Sequence, residues 1–200
     1  DRGIRYIDAA DQYGSHVVLR EALQGSDREK LFIQTKTRAL HPEVAKVDLD
    51  RFRKELGIDY IDSLLMHCMN KASWTTDMRP VMDVLFEAKE KGWVRSVGIS
   101  CHTLDALSQS ADCDWLDIQL VRINPFGSAM DGPVEDVVRQ IKRLHAAGKG
   151  VIGMKICGGG KNTTADERAE SIKYVLELGC VDSIVIGCES PQQIDENLAL

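Results

Sequence analysis

Four side chains have the types needed to move a proton at a carbonyl: Asp8 and Tyr13 in "YIDAADQYG", Lys36 in "FIQTKT" and His67 in "YIDSLLMH". A phenol works as a general acid when its surroundings tune and hold it. A lysine ammonium beside it lowers its pKa, a carboxylate anchors the ammonium, and an imidazole donates a hydrogen bond into the same space. Aspartate is depleted in strands and seldom buried alone. Asp8 follows Ile4, Tyr6 and Ile7, so it needs a rim position or a partner, and Lys36 is the partner of complementary charge. These residues are far apart in the chain and serve one reaction only if the fold gathers them at one mouth.

The chain has a rhythm that does so. Short β-branched or aliphatic runs occur at "IRYIDA", "LFIQTKT", "YIDSLLMHC", "VRSVGISC", "LDIQLVRIN", "VIGMKIC" and "SIVIGC", each running into a polar or Gly-rich turn. Amphipathic segments lie between them at 17–25, 42–57, 79–92, 103–112, 134–148 and 165–179, with a last one from Pro191. Gly57, Gly92, Gly148 and Gly179 suit helix ends and Pro191 a first helical turn. Seven strand–helix units in succession predict right-handed crossovers, an all-parallel sheet and a (β/α)8 barrel, whose typical length is roughly 250 residues. The chain is short of that by one unit. "DRG" reads as the end of a preceding helix, so a single barrel domain over 1–200 lacking its first strand and helix is expected, with one seam open. Barrel chemistry sits at the carboxyl ends of strands. That rule collects Asp8 with Tyr13, Lys36, His67 with Cys68, and the segments 100–102, 119–124, 155–160 and 187–189.

Composition narrows the partner. Of 200 residues 44% are hydrophobic and 28% charged, and the net charge of −6 is spread without a basic block. This argues for a small-molecule ligand and against nucleic acid or a membrane surface. No apolar run reaches the roughly 18 residues of a membrane span, and the first residues lack a secretory pattern. The cysteines at 68, 101, 113, 157, 180 and 188 form no CxxC pair and read as buried thiols in a reducing compartment, hence the cytoplasm.

The motifs together resemble the aldo-keto reductase family. "YIDAADQYG" matches its Asp-Thr-Ala-x-x-Tyr-Gly pattern, "FIQTKT" carries its lysine, "YIDSLLMH" its histidine, "VGISCH" stands where it has Gly-Val-Ser-Asn, and "IDENL" matches near the end. The resemblance implies that Asp8, Tyr13, Lys36 and His67 are the catalytic tetrad. Tyr13 would protonate the carbonyl of an aldehyde or ketone as hydride arrives from a nicotinamide cofactor. It further implies that Ser100 and Gln119 hold the nicotinamide carboxamide, and that Glu196 with Asn197 contacts adenine. The pyrophosphate would lie near Gly158, Gly159 and Gly160, where a Gly-rich turn between strand and helix lets backbone N–H groups approach a phosphate.

The chain also departs from the family. Cys101 replaces the usual Asn, Met154 falls where an aromatic would stack on the nicotinamide, and the positions for a 2′-phosphate partner fall near the uncharged Gly187 and Gln193. NADPH is the family default and NADH an alternative. Arg122 and Lys155 are unusual cations at strand ends. They are expected either to hold an anionic group of the substrate or to pair with Asp117 or other local acids. Trp74, in a long loop, is a candidate pocket wall.

Other readings use the same residues. Cys68, Cys101, Cys157 and Cys188, with His67 and His102, suggest a rim metal or iron–sulfur site. Regular strand alternation opposes it, because His67 and Cys68 would face opposite sides. A cofactor-binding regulatory module without turnover, and a Schiff-base aldolase using Lys36 or Lys155, complete the set.

Overall fold

The computed structural model describes residues 2–200. Its sheet contains β1 (Tyr6–Asp8), β2 (Phe32–Thr37), β3 (Ile61–Met69), β4 (Val94–Cys101), β5 (Ile118–Arg122), β6 (Gly150–Met154) and β7 (Ser183–Ile184). All pairs are parallel and strand order equals chain order, so each strand bonds only its chain neighbours and β1 and β7 form the two edges. This is the seven-unit partial barrel that the rhythm predicts. The crossovers carry α1 (His16–Ala22), α2 (Pro42–Leu56), α3 (Trp74–Asp77), α4 (Arg79–Glu90), α5 (Leu104–Ser108), α6 (Val134–Ala146), α7 (Ala165–Glu177) and, after β7, α8 (Pro191–Leu198).

The near-continuous apolar strands follow from burial on both faces. On the helix side, Leu64, Val97, Ile99, Val121 and Val151 share one core cluster with α2 Phe52, α4 Leu85 and α6 Ile141. On the axial side a smaller cluster holds Leu65, Leu120 and Ile152, with Tyr6, Ile118, Met154 and Val185 against it. Axial space is tight. A Cβ on Gly98 would lie 2.0 Å from the Ile118 carbonyl oxygen and 2.8 Å from Leu65 Cδ2, so only glycine allows β4 to approach β5 there.

Acids at the amino ends of strands pin neighbours in register. Asp62 accepts from the Ile33 amide at 2.9 Å and from Arg28, Asp117 from the Val97 amide at 2.9 Å, and Asp182 from the Val151 amide at 2.7 Å. Asp117 is further occupied by Lys89 Nζ at 2.6 Å, so it is not the partner of Arg122 or Lys155. At the opposite end, alternation carries Asp8, Lys36, His67, Ser100, Arg122 and Met154 to the axial side, in phase with Leu65, Leu120 and Ile152.

Trp74 does not wall a pocket. It opens α3, is 2% exposed, and donates its indole N–H to the Ala106 carbonyl at 3.1 Å. A short helix inside the loop turns the indole into the core, an outcome that a loop reading misses.

Candidate functional site

β1 and β2 set the centre of the mouth. Lys36, 1% exposed, donates all three ammonium protons: to Asp8 Oδ1 and Oδ2, each at 2.7 Å, and to the Ala9 carbonyl at 2.8 Å. Gln34 Nε2 gives Asp8 Oδ1 a further bond at 2.7 Å. Burial pulls the Lys36 pKa below its usual value and the adjacent Asp8 charge opposes the shift. With every proton engaged, Lys36 has no amine to offer as a Schiff-base nucleophile.

Tyr13 ends the 3-10 turn Asp11–Tyr13, and Arg51 of α2 anchors that turn by reaching Asp11 Oδ1 at 2.7 Å. The phenol ring is 5.1 Å from Lys36 Nζ and meets the His67 ring edge-on at 6.0 Å. Its pKa is raised, first by burial and then by the Asp8 charge. The expected depression by Lys36 is therefore not found: burial, the Asp8 charge and then Cys68 carry the shift upward. His67 is pushed down to about 4 by burial and by nearby Lys36, so it is a neutral imidazole at pH 7.

The end of β3 is irregular. Met66 pairs with Ile99 and Met69 with Cys101, three steps against two, which is a β-bulge. Cys68 sits in it with φ of 65° and its amide donates to Ser100 Oγ at 2.9 Å. The alternation that would separate His67 from Cys68 thus fails at this point. Ligand atoms of His67, Cys68 and His102 come within 4.8 Å of one another. Lys36, Arg38, Arg122 and Lys155 all act on the Cys68 sulfur, a ring of positive charge that opposes a metal cation there. Among the described residues no such group holds two cysteines, and Cys101 lies on the helix side with its thiol toward Gln119 and Ser110.

Gln119 also lies on that side. Its amide, fully buried, is used by the Leu120 carbonyl at 2.9 Å, the Ile99 carbonyl at 3.4 Å and the Cys101 thiol, so it does not reach the mouth as a carboxamide contact requires. Parity along β5 decides this, since Leu120 takes the axial side. Arg122 is axial and is held by Asp131 at 3.3 Å, with Nη2 bonded to His102 Nδ1. Lys155 stands exposed at φ of 57°, and buried Asn124 fixes its carbonyl by a bond of 3.0 Å.

A cleft of about 450 Å³ runs from Asp8 and Tyr13 past Met154, Lys155, Gly159 and Gly160 to Thr163, Arg168, Gly187, Glu189 and Gln193. The glycines divide their work. Gly158 is the turn itself, at φ of 60° with a Cβ that would fall 2.3 Å from Asn162 Oδ1. Gly158 and Gly160 spend their amides on the Lys155 and Cys157 carbonyls. The Gly159 amide makes no backbone bond among the described residues and lines the cleft, as does Gly160. Thr164 and Glu167 form a capping box that starts α7 immediately afterwards. Arg168 is the cation that the motif reading missed. It lies on α7, lines the cleft, and bonds Glu196 and Asn197, the two residues expected at adenine. A long, glycine-floored cleft ending at a guanidinium fits an extended, phosphate-bearing cofactor.

Comparison with known proteins agrees with this architecture. The family model described as "Aldo/keto reductase family" matches residues 1–174. An aldo-keto reductase of Mycolicibacterium paratuberculosis is 35% identical over 116 residues, which are 54% of this chain and 38% of that protein. An NADH-specific methylglyoxal reductase of Escherichia coli is 25% identical over 160 residues, 68% of this chain and 49% of that protein. The matched part is thus less than half the length of these relatives. An aldo-keto reductase from Bacillus halodurans in its holo form superposes with a TM-score of 0.81 over 99% of this chain and 77% of that one, at 18% identity. With the family model spanning most of its length, the chain belongs to the aldo-keto reductase family.

Proposed function

We propose that the protein reduces a small carbonyl compound to the alcohol with a reduced nicotinamide cofactor. The observation that carries this reading is the clustering of Tyr13, the Asp8–Lys36 pair and His67 at one strand-end mouth, opening directly onto the glycine-floored cleft. Gly159 and Arg168 are the residues that would hold the cofactor phosphates, with Ser100 and Met154 at the nicotinamide end and Glu196 and Asn197 beyond Arg168. When bound, the cofactor supplies hydride to the carbonyl carbon.

The protein's own part is proton placement. Tyr13, like any phenol, is protonated at neutral pH, its raised pKa extends that state to higher pH, and it gives the proton to the carbonyl oxygen. Neutral His67 orients the same oxygen with a ring N–H. Asp8 holds Lys36, and the pair stabilises the phenolate that Tyr13 becomes. Gly187 and Gln193 bring no charge to the far end of the cleft, Arg168 is neutralised by Glu196, and Glu189 adds a carboxylate. These features favour use of NADH as well as NADPH. Free cysteines, and the lack of a described helix long and apolar enough to cross a membrane, suit a cytoplasmic location.

The test is fluorescence titration with NADH and NADPH, then turnover of short aldehydes and 1,2-dicarbonyls by the wild type and Tyr13→Phe. A loss of roughly 10²- to 10⁴-fold in kcat with cofactor binding kept is expected. Wild-type turnover in Tyr13→Phe would overturn the mechanism, and cofactor binding without turnover of any carbonyl would favour a regulatory module.

A further inference from the structure

The mouth has a charge surplus that proton transfer does not use. Lys36, Arg38, Arg122 and Lys155 converge on it, against the carboxylates Asp8 and Asp131. Lys36 is spent on Asp8 and Arg122 is braced by Asp131, whereas among the described residues Arg38 bonds only the neutral Gln12, at 3.2 Å, and Lys155 makes no side-chain ion pair. Two positive charges therefore remain over the mouth of a chain whose net charge is −6.

His102 gives that surplus a direction. A guanidinium can only donate, so the bond from Arg122 Nη2 requires His102 Nδ1 to be the acceptor, and the neutral ring must carry its proton on Nε2. Burial and Arg122 keep this ring neutral, with a pKa of about 4. The His102 ring stands 6.3 Å from the His67 ring, which in turn is 6.0 Å from the Tyr13 ring. The mouth thus offers a second imidazole donor beside the first, backed by cations.

We propose that the carbonyl substrate carries a carboxylate a few bonds from the reacting carbon, and that the His102 Nε2–H, Arg38 and Lys155 receive this group. This deepens the reductase reading and rests on it. The substrate class is a short oxo acid. Its carbonyl carbon gains hydride from the reduced nicotinamide, its oxygen gains the Tyr13 proton, and a hydroxy acid leaves with the nicotinamide oxidised. Asp131 and Arg122 act as positioning residues that fix the His102 tautomer.

The experiment compares kcat/KM for 2-oxopropanoate and 4-oxobutanoate with their methyl esters in the wild type, Arg38→Gln and Arg122→Gln, at saturating cofactor. The expected result is an acid-to-ester preference of about tenfold or more in the wild type, reduced by about tenfold in each variant because kcat/KM for the acid falls further than that for the ester. A ratio near one, or one that both variants leave unchanged, overturns the proposal. So do variants that raise the cofactor KM and slow acid and ester alike, because the cations then serve the dinucleotide phosphates. A binding readout separates this failure from failure of the reductase reading. In ¹⁵N-histidine spectra, 4-oxobutanoate should shift the His102 signals and raise their titration midpoint, and 4-oxobutanoate methyl ester should not. Carboxylate shifts without turnover would retain the site and reject the reductase; turnover without such shifts would do the reverse.

Discussion

Replacing Lys36 by Met tests whether the Asp8–Lys36 pair is a structural brace or part of the chemistry. The substitution removes three bonds of 2.7 to 2.8 Å and leaves Asp8, whose side chain is 10% exposed, with a charge that nothing neutralises. Breaking one partner of a buried pair costs about 3–5 kcal/mol. Gln34 still donates to Asp8 at 2.7 Å, which places the loss toward the lower value. For a chain of this size about 3 kcal/mol corresponds to roughly 6–12 °C in Tm. The double variant Asp8→Asn with Lys36→Met removes both charges, so its stability should return to within about 1 kcal/mol of wild type. Thermal unfolding by circular dichroism measures both, and carbonyl reduction is assayed in parallel. Activity should fall about 10²-fold in both variants, because neither can stabilise the Tyr13 phenolate. Equal instability of the single and double variants would refute the uncompensated-charge argument, and wild-type kcat in the double variant would leave the pair a brace alone.

Three more expectations follow from the geometry. Trp74→Ala should cost about 3–5 kcal/mol by emptying a core site, and should leave substrate KM unchanged at temperatures where the variant is folded. With His67 neutral above about 4 and Tyr13 raised above its usual value, reduction of a neutral aldehyde should be flat from pH 6 to 9. Alcohol oxidation, which needs the phenolate, should climb toward about pH 10 and beyond; a bell centred near pH 7 would contradict these assignments. Burial raises Asp131 to about 6 from 3.8, so between those values the folded state binds more protons than the unfolded one, and stability rises as pH falls through that window. Denaturation of wild type and Asp131→Asn at pH 7 and pH 4 should show this component, up to about 3 kcal/mol, in the wild type alone.

The seven strands and the helix ends were legible because buried apolar runs and terminal glycines report purely local requirements. Asp8, Lys36 and His67 were legible for a related reason: a charged or polar residue closing an apolar strand has few places to go. What escaped depends on one-residue parity. The extra residue around Cys68 is invisible to a two-residue period, and it brings His67 and Cys68 to the same rim. Parity likewise turns Gln119 to the helix side and Arg122 to the axis. Arg168 escaped because a helix lays it into the cleft from a face that strand-end reasoning does not survey. The Tyr13 shift escaped because burial and Asp8 outweigh the single neighbour considered.

The identity of strand order and chain order has a kinetic consequence. Each unit is secured by its immediate neighbours, so cooperativity is greatest in the middle, at β3 and β4, and least at the edges. The edges are the three-residue β1 and the two-residue β7, each paired on one side. One carries Asp8, and the other leads into Val185 and Gly187 of the cleft. Amide exchange at both should proceed by small, sub-global openings while Lys36 and His67 remain protected on interior strands. Under mild denaturant the protein should then lose the alignment of Asp8 with Lys36 before it loses its fold, with the proposed reductase activity and ellipticity parting along the same titration.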